Sequence, residues 1–361
     1  MVNYMKKFFL VFLCLIPLKV YGISASSYIV MDQDSHQILA GSNINDQRLI
    51  ASTTKIMTCI IAIEYGDLDK IVKVDDSVLK AYGSAIYIEV GEEIKLKDLL
   101  YGLMLRSGND AAIMIAKAVT GNMESFVYLM NEKASSIGMK NTIFYNNHGL
   151  EENDGKGNLS TSYDMALLMS YAMKNSTFKE ITGTKKRIVK TNYKTYSWTN
   201  KNKLLHSYNF ITGGKTGYTE KARRTLVTSA SKDNMNIVIV TLNDGNDFKD
   251  HLDLYNMVFN NYYSLLVLDK NKFHIKQNYY KNAFFKIKKD YSLVLKKQNN
   301  AKVQVKYNLL KDEKVVNNSY IGTADIYLNN KLIHQENIYI SLNNKIKKES
   351  WWHKLFWWLY D

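Results

Sequence analysis

The segment STTKIMTCIIAIEY, running from Ser52 to Tyr65, is apolar on most faces of a helix, and it constrains the fold more than any other stretch. A helix with one apolar stripe can lie on a surface, whereas one that is apolar nearly all round must be wrapped by other elements. The chain therefore has to build a domain large enough to surround it. With 361 residues, 46% of them hydrophobic, it has material for one large domain and a smaller one.

The flanking patterns predict what does the wrapping. Tyr28–Met31 and Gln37–Ala40, separated by the turn-rich Asp32–His36, read as a β-hairpin. Apolar residues recur at helical spacing over Leu96–Ala118, Glu124–Ile137 and Tyr163–Met173. After Gly214, Thr225–Ala230 and Asn236–Leu242 read as paired strands around a polar turn, and a helix is expected from about Phe248 to Tyr262. Strands at both ends with helices between them imply one antiparallel sheet shared by the terminal segments. From about Lys270 the texture turns Lys/Asn/Tyr-rich, with short strand-like runs at Tyr291–Leu295, Val303–Tyr307, Ala324–Leu328, Leu332–Ile333 and Ile338–Ile340, which predicts a small all-β domain.

Both ends of the chain point to a membrane. Lys6 and Lys7 precede an apolar run from Phe8 to Leu18, followed by small residues at Gly22 and Ala25, the pattern of a secretory signal peptide cleaved after about Gly22. An uncleaved anchor is the alternative. Lys347–Asp361 holds four of the five tryptophans, and on a helix Trp351, Leu355, Trp358 and Leu359 share one side while Lys347, Lys348 and Lys354 can meet headgroups. Such a helix would lie in the interface of a membrane, its alternative being to dock on the β domain. Only Cys59 follows the leader, so no intramolecular disulfide is expected, and its apolar neighbours suit a buried thiol. The net charge of +14 suits an anionic surface or polymer, or simply a solvated basic surface, since the lysines are spread widely and no Lys/Arg run with interleaved aromatics points to nucleic acid.

Three short motifs carry the chemistry: Ser52-Thr-Thr-Lys55, Ser107-Gly-Asn109 and Lys215-Thr-Gly217. Residues three apart share a helix face, so the Lys55 amine can reach the Ser52 hydroxyl. Burial and a nearby cation such as Lys215 would lower its pKa and make it a base. Taken alone, the pair is equally a surface lysine one turn after a capping serine. Ser107 can relay a proton and the Asn109 amide can bond a substrate carbonyl, or both can simply cap a helix. Gly217 would let a substrate backbone approach an edge strand, while Lys215, Thr216 and Thr219 offer a cation and hydroxyls to a carboxylate. The G-K-T at 214–216 is not a phosphate loop, because Asn209 stands where its first glycine belongs. The seven histidines show no metal spacing, so neither metal nor cofactor is expected.

With the motifs in this order, the sequence resembles the serine-type D-alanyl-D-alanine carboxypeptidases, the low-molecular-weight penicillin-binding proteins of peptidase family S11. The resemblance spans about Ser26 to Tyr263 and includes residues 107–112, 130–134, 138–142, 148–150 and 214–219. It implies an α+β (α/β) β-lactamase/transpeptidase-like domain, with an antiparallel sheet, helices on its faces and a helical subdomain, followed by the small all-β domain. The expected division is 1–22 leader, 23–268 catalytic domain, 269–345 β-rich domain and 346–361 membrane-associating helix. Carried over by motif, Ser52 is the acylated nucleophile, Lys55 its base, and Ser107 and Asn109 second-motif residues. Lys215, Thr216, Gly217, Tyr218 and Thr219 would hold substrate, with the N–H groups of Ser52 and Tyr218 as oxyanion hole. The implied partners are peptidoglycan stem peptides and inhibitory β-lactams, outside the cytoplasmic membrane. Two departures are Asn158, where many members have histidine, and Arg223 in place of a common glycine. The basic residue that often meets the substrate carboxylate is not clearly placed; Lys249 is one candidate. A β-lactamase, although the class A E-x-x-L-N pattern is missing, and a non-catalytic wall-peptide-binding module are the rival readings.

Overall fold

The computed structural model describes residues 22–151, 155–280, 283–298, 300–311 and 315–342. The expected leader, apart from Gly22, and the expected C-terminal helix lie outside the described residues. Chain order gives the hairpin β1 (Ser27–Asp32) and β2 (Ile38–Ser42), then β3 (Arg48–Leu49), a 3-10 turn over Ala51–Thr54 and α1 (Lys55–Tyr65). The strand pair β4 (Ile71–Lys73) and β5 (Glu93–Lys95) leads to α2 (Leu96–Tyr101), a π-helical turn over Gly102–Arg106, α3 (Asn109–Thr120) and α4 (Met123–Ser136). After β6 (Leu159–Ser160) come α5 (Ser162–Ala172), α6 (Ser176–Gly183) and the hairpin β7 (Lys186–Lys190) and β8 (Thr195–Thr199). Finally α7 (Lys203–Ser207) precedes β9 (Ile211–Thr219), β10 (Arg223–Lys232), β11 (Met235–Asp244) and α8 (Asp247–Asn261).

Terminal strands do share one sheet, in the order β2-β1-β11-β10-β9, with every pairing antiparallel. Successive side chains of a strand point to opposite faces. In β11, Val238, Val240 and Leu242 join the core around α1, while Ile237 and Ile239 join Leu254, Tyr255 and Val258 of α8. Burial on both faces explains why the strand is an unbroken apolar run and not an alternating one.

Helix α1 is buried from Lys55 to Ala62 and touches α3, α4, α5 and α6, as its composition requires. Side chains of Asn122, Thr161 and Asn175 accept a backbone N–H at the start of α4, α5 and α6, stopping each helix where its apolar spacing begins. The apolar spacing over Leu96–Ala118 is divided at Ser107, in agreement with the second motif standing at a loop between two helices, and its φ of 66° ends the π-helical turn. Residues 174–210, by contrast, carry α6, β7, β8 and α7 without a long periodic pattern to announce them.

Beyond α8, β12 (Tyr262–Leu268), β13 (Ala283–Lys286), β14 (Tyr291–Lys296), β15 (Val303–Leu309), β16 (Tyr320–Leu328) and β17 (Lys331–Leu342) make a β-rich unit. The runs expected at Leu332–Ile333 and Ile338–Ile340 are one strand, β17, in the sheet β13-β17-β16-β15. β12 pairs with β14, and Ile321, Ile326, Ile338 and Ile340 form part of a core of its own.

Candidate active site

Ser52 lies in the 3-10 turn that runs directly into α1, so the helix expected from Ser52 begins with a 3-10 turn. The preceding Ala51 has φ 46°, a sparsely populated conformation for a residue with a Cβ. Contacts from distant elements hold it there. The Ile50 carbonyl accepts from Thr53 Oγ1 at 2.6 Å and from Thr225 Oγ1 on β10 at 3.1 Å. Gly149, with φ 89°, presses so close that a Cβ there would sit 1.9 Å from the Ala51 carbonyl oxygen.

Lys55 is fully buried, and its Nζ lies 2.7 Å from Asn109 Oδ1, 2.6 Å from the His148 carbonyl and 3.1 Å from Ser52 Oγ. The two shorter partners can only accept. An uncharged amine has two N–H bonds and one lone pair, so with both N–H bonds given to the carbonyls its lone pair faces the Ser52 hydroxyl. Burial pushes the Lys55 pKa well below the usual lysine range, and the charges of Lys215 and Lys201 push it further, against the pull of Asp110. This environment favours the uncharged amine, the form that can take a proton from an alcohol.

The other motifs meet at the same place. Ser52, Ser107, Thr216, Gly217 and Tyr218 line one cavity of about 280 Å³. Asn109 lies behind Lys55; one of its amide N–H bonds goes to the Tyr82 carbonyl at 2.6 Å, leaving the second. β9 is the edge strand and runs beside the nucleophile: a Cβ on Gly217 would be 2.9 Å from the Ser52 nitrogen. Two expected substrate contacts are used within the protein. Lys215 is buried, its Nζ donating to the Thr216 carbonyl at 2.7 Å, and burial with nearby Lys201 brings its pKa to about 7. Thr219 donates to Glu151 Oε1 at 2.6 Å and accepts the Ala222 N–H at 3.0 Å, so it closes the β9–β10 turn.

Several groups of the site carry no local signal in the sequence. Lys201 and Arg224 both line the cavity, whereas Lys249 pairs with Asp253 one turn along α8. A β-bulge between Arg224 and Thr225, after Arg223 at φ 58°, re-aims the start of β10. Asn158 uses its whole amide: Oδ1 accepts the N–H groups of Tyr145 and Asn146, and Nδ2 donates to Thr54 Oγ1 and the Asn146 carbonyl. It thereby ties the 145–148 loop to the turn that carries Ser52. Burial, then Lys55, hold the His148 ring at about 3, so it stays neutral while its carbonyl orients the amine. A larger cavity of about 420 Å³, between Tyr28, Ala40 and α8, is lined mainly by apolar and asparagine side chains.

The family described as D-alanyl-D-alanine carboxypeptidase, peptidase S11, matches residues 17–246, and the C-terminal domain of penicillin-binding protein 5 matches residues 267–345. D-alanyl-D-alanine carboxypeptidase DacF of Bacillus subtilis is 36% identical over 222 residues, which is 60% of this chain and 56% of the relative. DacC of Escherichia coli is 35% identical over 243 residues, 61% of this chain and 57% of the relative. The matched region thus spans just over half the length of these two curated relatives. Among solved structures, penicillin-binding protein 5 of Haemophilus influenzae superposes with a TM-score of 0.74 at 25% identity, covering 89% of this chain and 97% of that one. A Streptomyces K15 DD-transpeptidase variant gives 0.63 at 29% identity, covering 66% of this chain and 99% of that one. A match over most of the chain, with the three motifs gathered around one buried lysine, leads to a single assignment: this chain belongs to the D-alanyl-D-alanine carboxypeptidase family.

Proposed function

We propose that the protein is a serine D-Ala-D-Ala carboxypeptidase that removes the terminal D-alanine from peptidoglycan stem peptides. The observation that carries this reading is the buried Lys55 Nζ, held 2.7 Å from Asn109 Oδ1 and 2.6 Å from the His148 carbonyl with Ser52 Oγ at 3.1 Å, an arrangement in which the uncharged amine keeps its lone pair for the serine hydroxyl. Ser52 Oγ attacks the carbonyl carbon of the penultimate D-alanine while its proton passes to Lys55 Nζ. The N–H groups of Ser52 and Tyr218 receive the oxyanion, and losing one such donor typically costs roughly 10²–10³ in rate. The proton then moves through Ser107 to the departing amine, the C–N bond breaks, and D-alanine leaves an ester on Ser52. Water, deprotonated by Lys55, hydrolyses that ester and frees the serine.

Substrate lies along β9, its backbone beside Gly217 and its terminal carboxylate near Thr216. Arg224 supplies the cation for that carboxylate: it lines the same cavity as Ser52 and Thr216, and its Nη1 is held only loosely, 3.9 Å from Asp247. β-Lactams acylate Ser52 in the same way.

The protein works outside the cytoplasmic membrane, delivered by a leader at 1–22, with a catalytic domain over 23–268, a β-rich domain over 269–345 and an in-plane anchor over 346–361. Composition supports the anchor; among the described residues no helix is long and apolar enough to cross a membrane.

Purified protein mixed with a fluorescent penicillin and a D-Ala-D-Ala peptide tests the reading. Stable labelling with release of D-alanine is expected, and Ser52→Ala should abolish both. Rapid turnover of the penicillin would instead indicate a β-lactamase, and the absence of labelling and release a binding module.

A further inference from the structure

We propose that Asp110 is the positioning residue of the second motif: its buried carboxylate folds the loop around residues 82–91 onto the cleft, and that loop holds Asn109 so that Asn109 Oδ1 orients the Lys55 amine. The inference rests on the assignment of Ser52 and Lys55 as nucleophile and base.

Asp110 is only 3% exposed, and it takes up backbone N–H groups from the loop. Its Oδ1 accepts from Ile86 at 3.0 Å and from Ala111 in its own helix at 2.9 Å, while its Oδ2 accepts from Tyr87 at 2.7 Å and Ile88 at 3.3 Å. Three consecutive loop N–H groups can converge on one carboxylate only if the backbone curls around it, and Tyr87 accordingly has φ 62°. Tyr87 is 74% exposed, so its conformation is held by backbone contacts: its N–H goes to Asp110 and its carbonyl accepts from Lys194 Nζ at 2.9 Å.

The folded loop then returns two contacts to the motif. The Ser84 carbonyl accepts the Asn109 backbone N–H at 2.8 Å, and the Tyr82 carbonyl accepts Asn109 Nδ2 at 2.6 Å. Asn109 is thereby fixed at both backbone and side chain, with Oδ1 left facing Lys55 Nζ. Ile86 also packs beneath the turn that presents Ser107: a Cβ on Gly108 would meet its Cγ2 at 3.1 Å. One carboxylate that never touches substrate therefore sets both side chains of the second motif. It is also a negative charge near the Lys55 amine, opposing Lys215 and Lys201, with the neutral His148 beside it.

Asp110→Asn keeps the shape but turns part of the acceptor surface into a donor facing N–H groups. Penicillin acylation should fall about 10²-fold, the scale of an ångström-sized misplacement of reacting groups. Its acid limb should also move to lower pH, because the charge that favours the protonated amine is gone. A purely structural role would lower stability without moving that limb. A folded variant that acylates at the wild-type rate, or whose acid limb stays in place, would overturn the proposal.

Tyr87→Pro serves as the second variant, and decides the matter should Asp110→Asn fail to fold. It removes the shortest loop N–H bond, forbids the positive φ and leaves the charge, so acylation should slow with the acid limb unmoved; wild-type acylation refutes the proposal. The wild-type enzyme in the same assay keeps the two readings apart. If the wild type itself is not labelled, the assignment of Ser52 fails, whereas the role of Asp110 is judged only by the variants against a labelled wild type.

Discussion

Two lysines buried in one cleft repel each other, and this repulsion adds to burial in favouring the uncharged Lys55 amine. Lys215 and Lys201 both lower the Lys55 pKa after burial has done so, and Lys215 itself is brought to about 7. Lys215→Gln removes the charge with the larger effect of the two. The Lys55 amine should then hold its proton to higher pH, and the acid limb of penicillin acylation should move upward by a measurable fraction of a unit. A labelling profile between about pH 5 and 9 checks the sign, and a limb that stays or moves downward contradicts the account. At this scale the pairing of Ser52 with Lys55 was legible only from the order of the three motifs, since a serine and a lysine three apart are by themselves equally a helix cap and a surface lysine. Lys201, Arg224 and the His148 carbonyl were not, because they approach Lys55 and Ser52 only after the chain has folded.

Helix α1 and edge strand β9 frame Ser52; the helix was readable from its apolar composition, whereas β9 was foreseen only as an edge strand at Gly217, with no strand expected over Ile211–Thr219. The turn joining β3 to α1 was less readable than the helix. Its shape depends on a glycine roughly a hundred residues later, because Gly149 occupies space beside Ala51 that no side chain can share. Gly149→Ala should lower stability by at least about 2 kcal/mol and slow acylation, since the clash falls on the residue before Ser52. Gly138, at φ 87° with nothing within 4 Å of its would-be Cβ, is the control. Gly138→Ala carries only the backbone penalty of about 1 kcal/mol and should leave acylation unchanged. Urea unfolding and penicillin labelling of the two variants separate contact from conformation; equal behaviour would remove Gly149 from the account of the site.

For the molecule as a whole, the β-rich C-terminal unit has its own core, yet Val294 of β14 packs among Val30, Tyr255 and Phe259 beneath the main sheet. Every residue lining the cleft precedes β12 in the chain. A fragment of residues 23–268 should therefore still be labelled by penicillin, at a rate near that of the full chain. It should melt at a lower temperature, because β12 loses β14 and the Val294 contact. Loss of labelling in a folded fragment would show that the second unit contributes to the cleft. By itself the sequence determined which segments must be buried, which alternate, and which serine and lysine lie one turn apart, since each of these is written within a few neighbouring residues. Only the tertiary structure decided that the lysine amine is desolvated and poorly able to hold its proton: its acceptors come from 54 and 93 residues away, and its pKa depends on burial and on charges from β9 and the segment before α7. Solvation and electric field are properties of the assembled interior, and no local pattern encodes them.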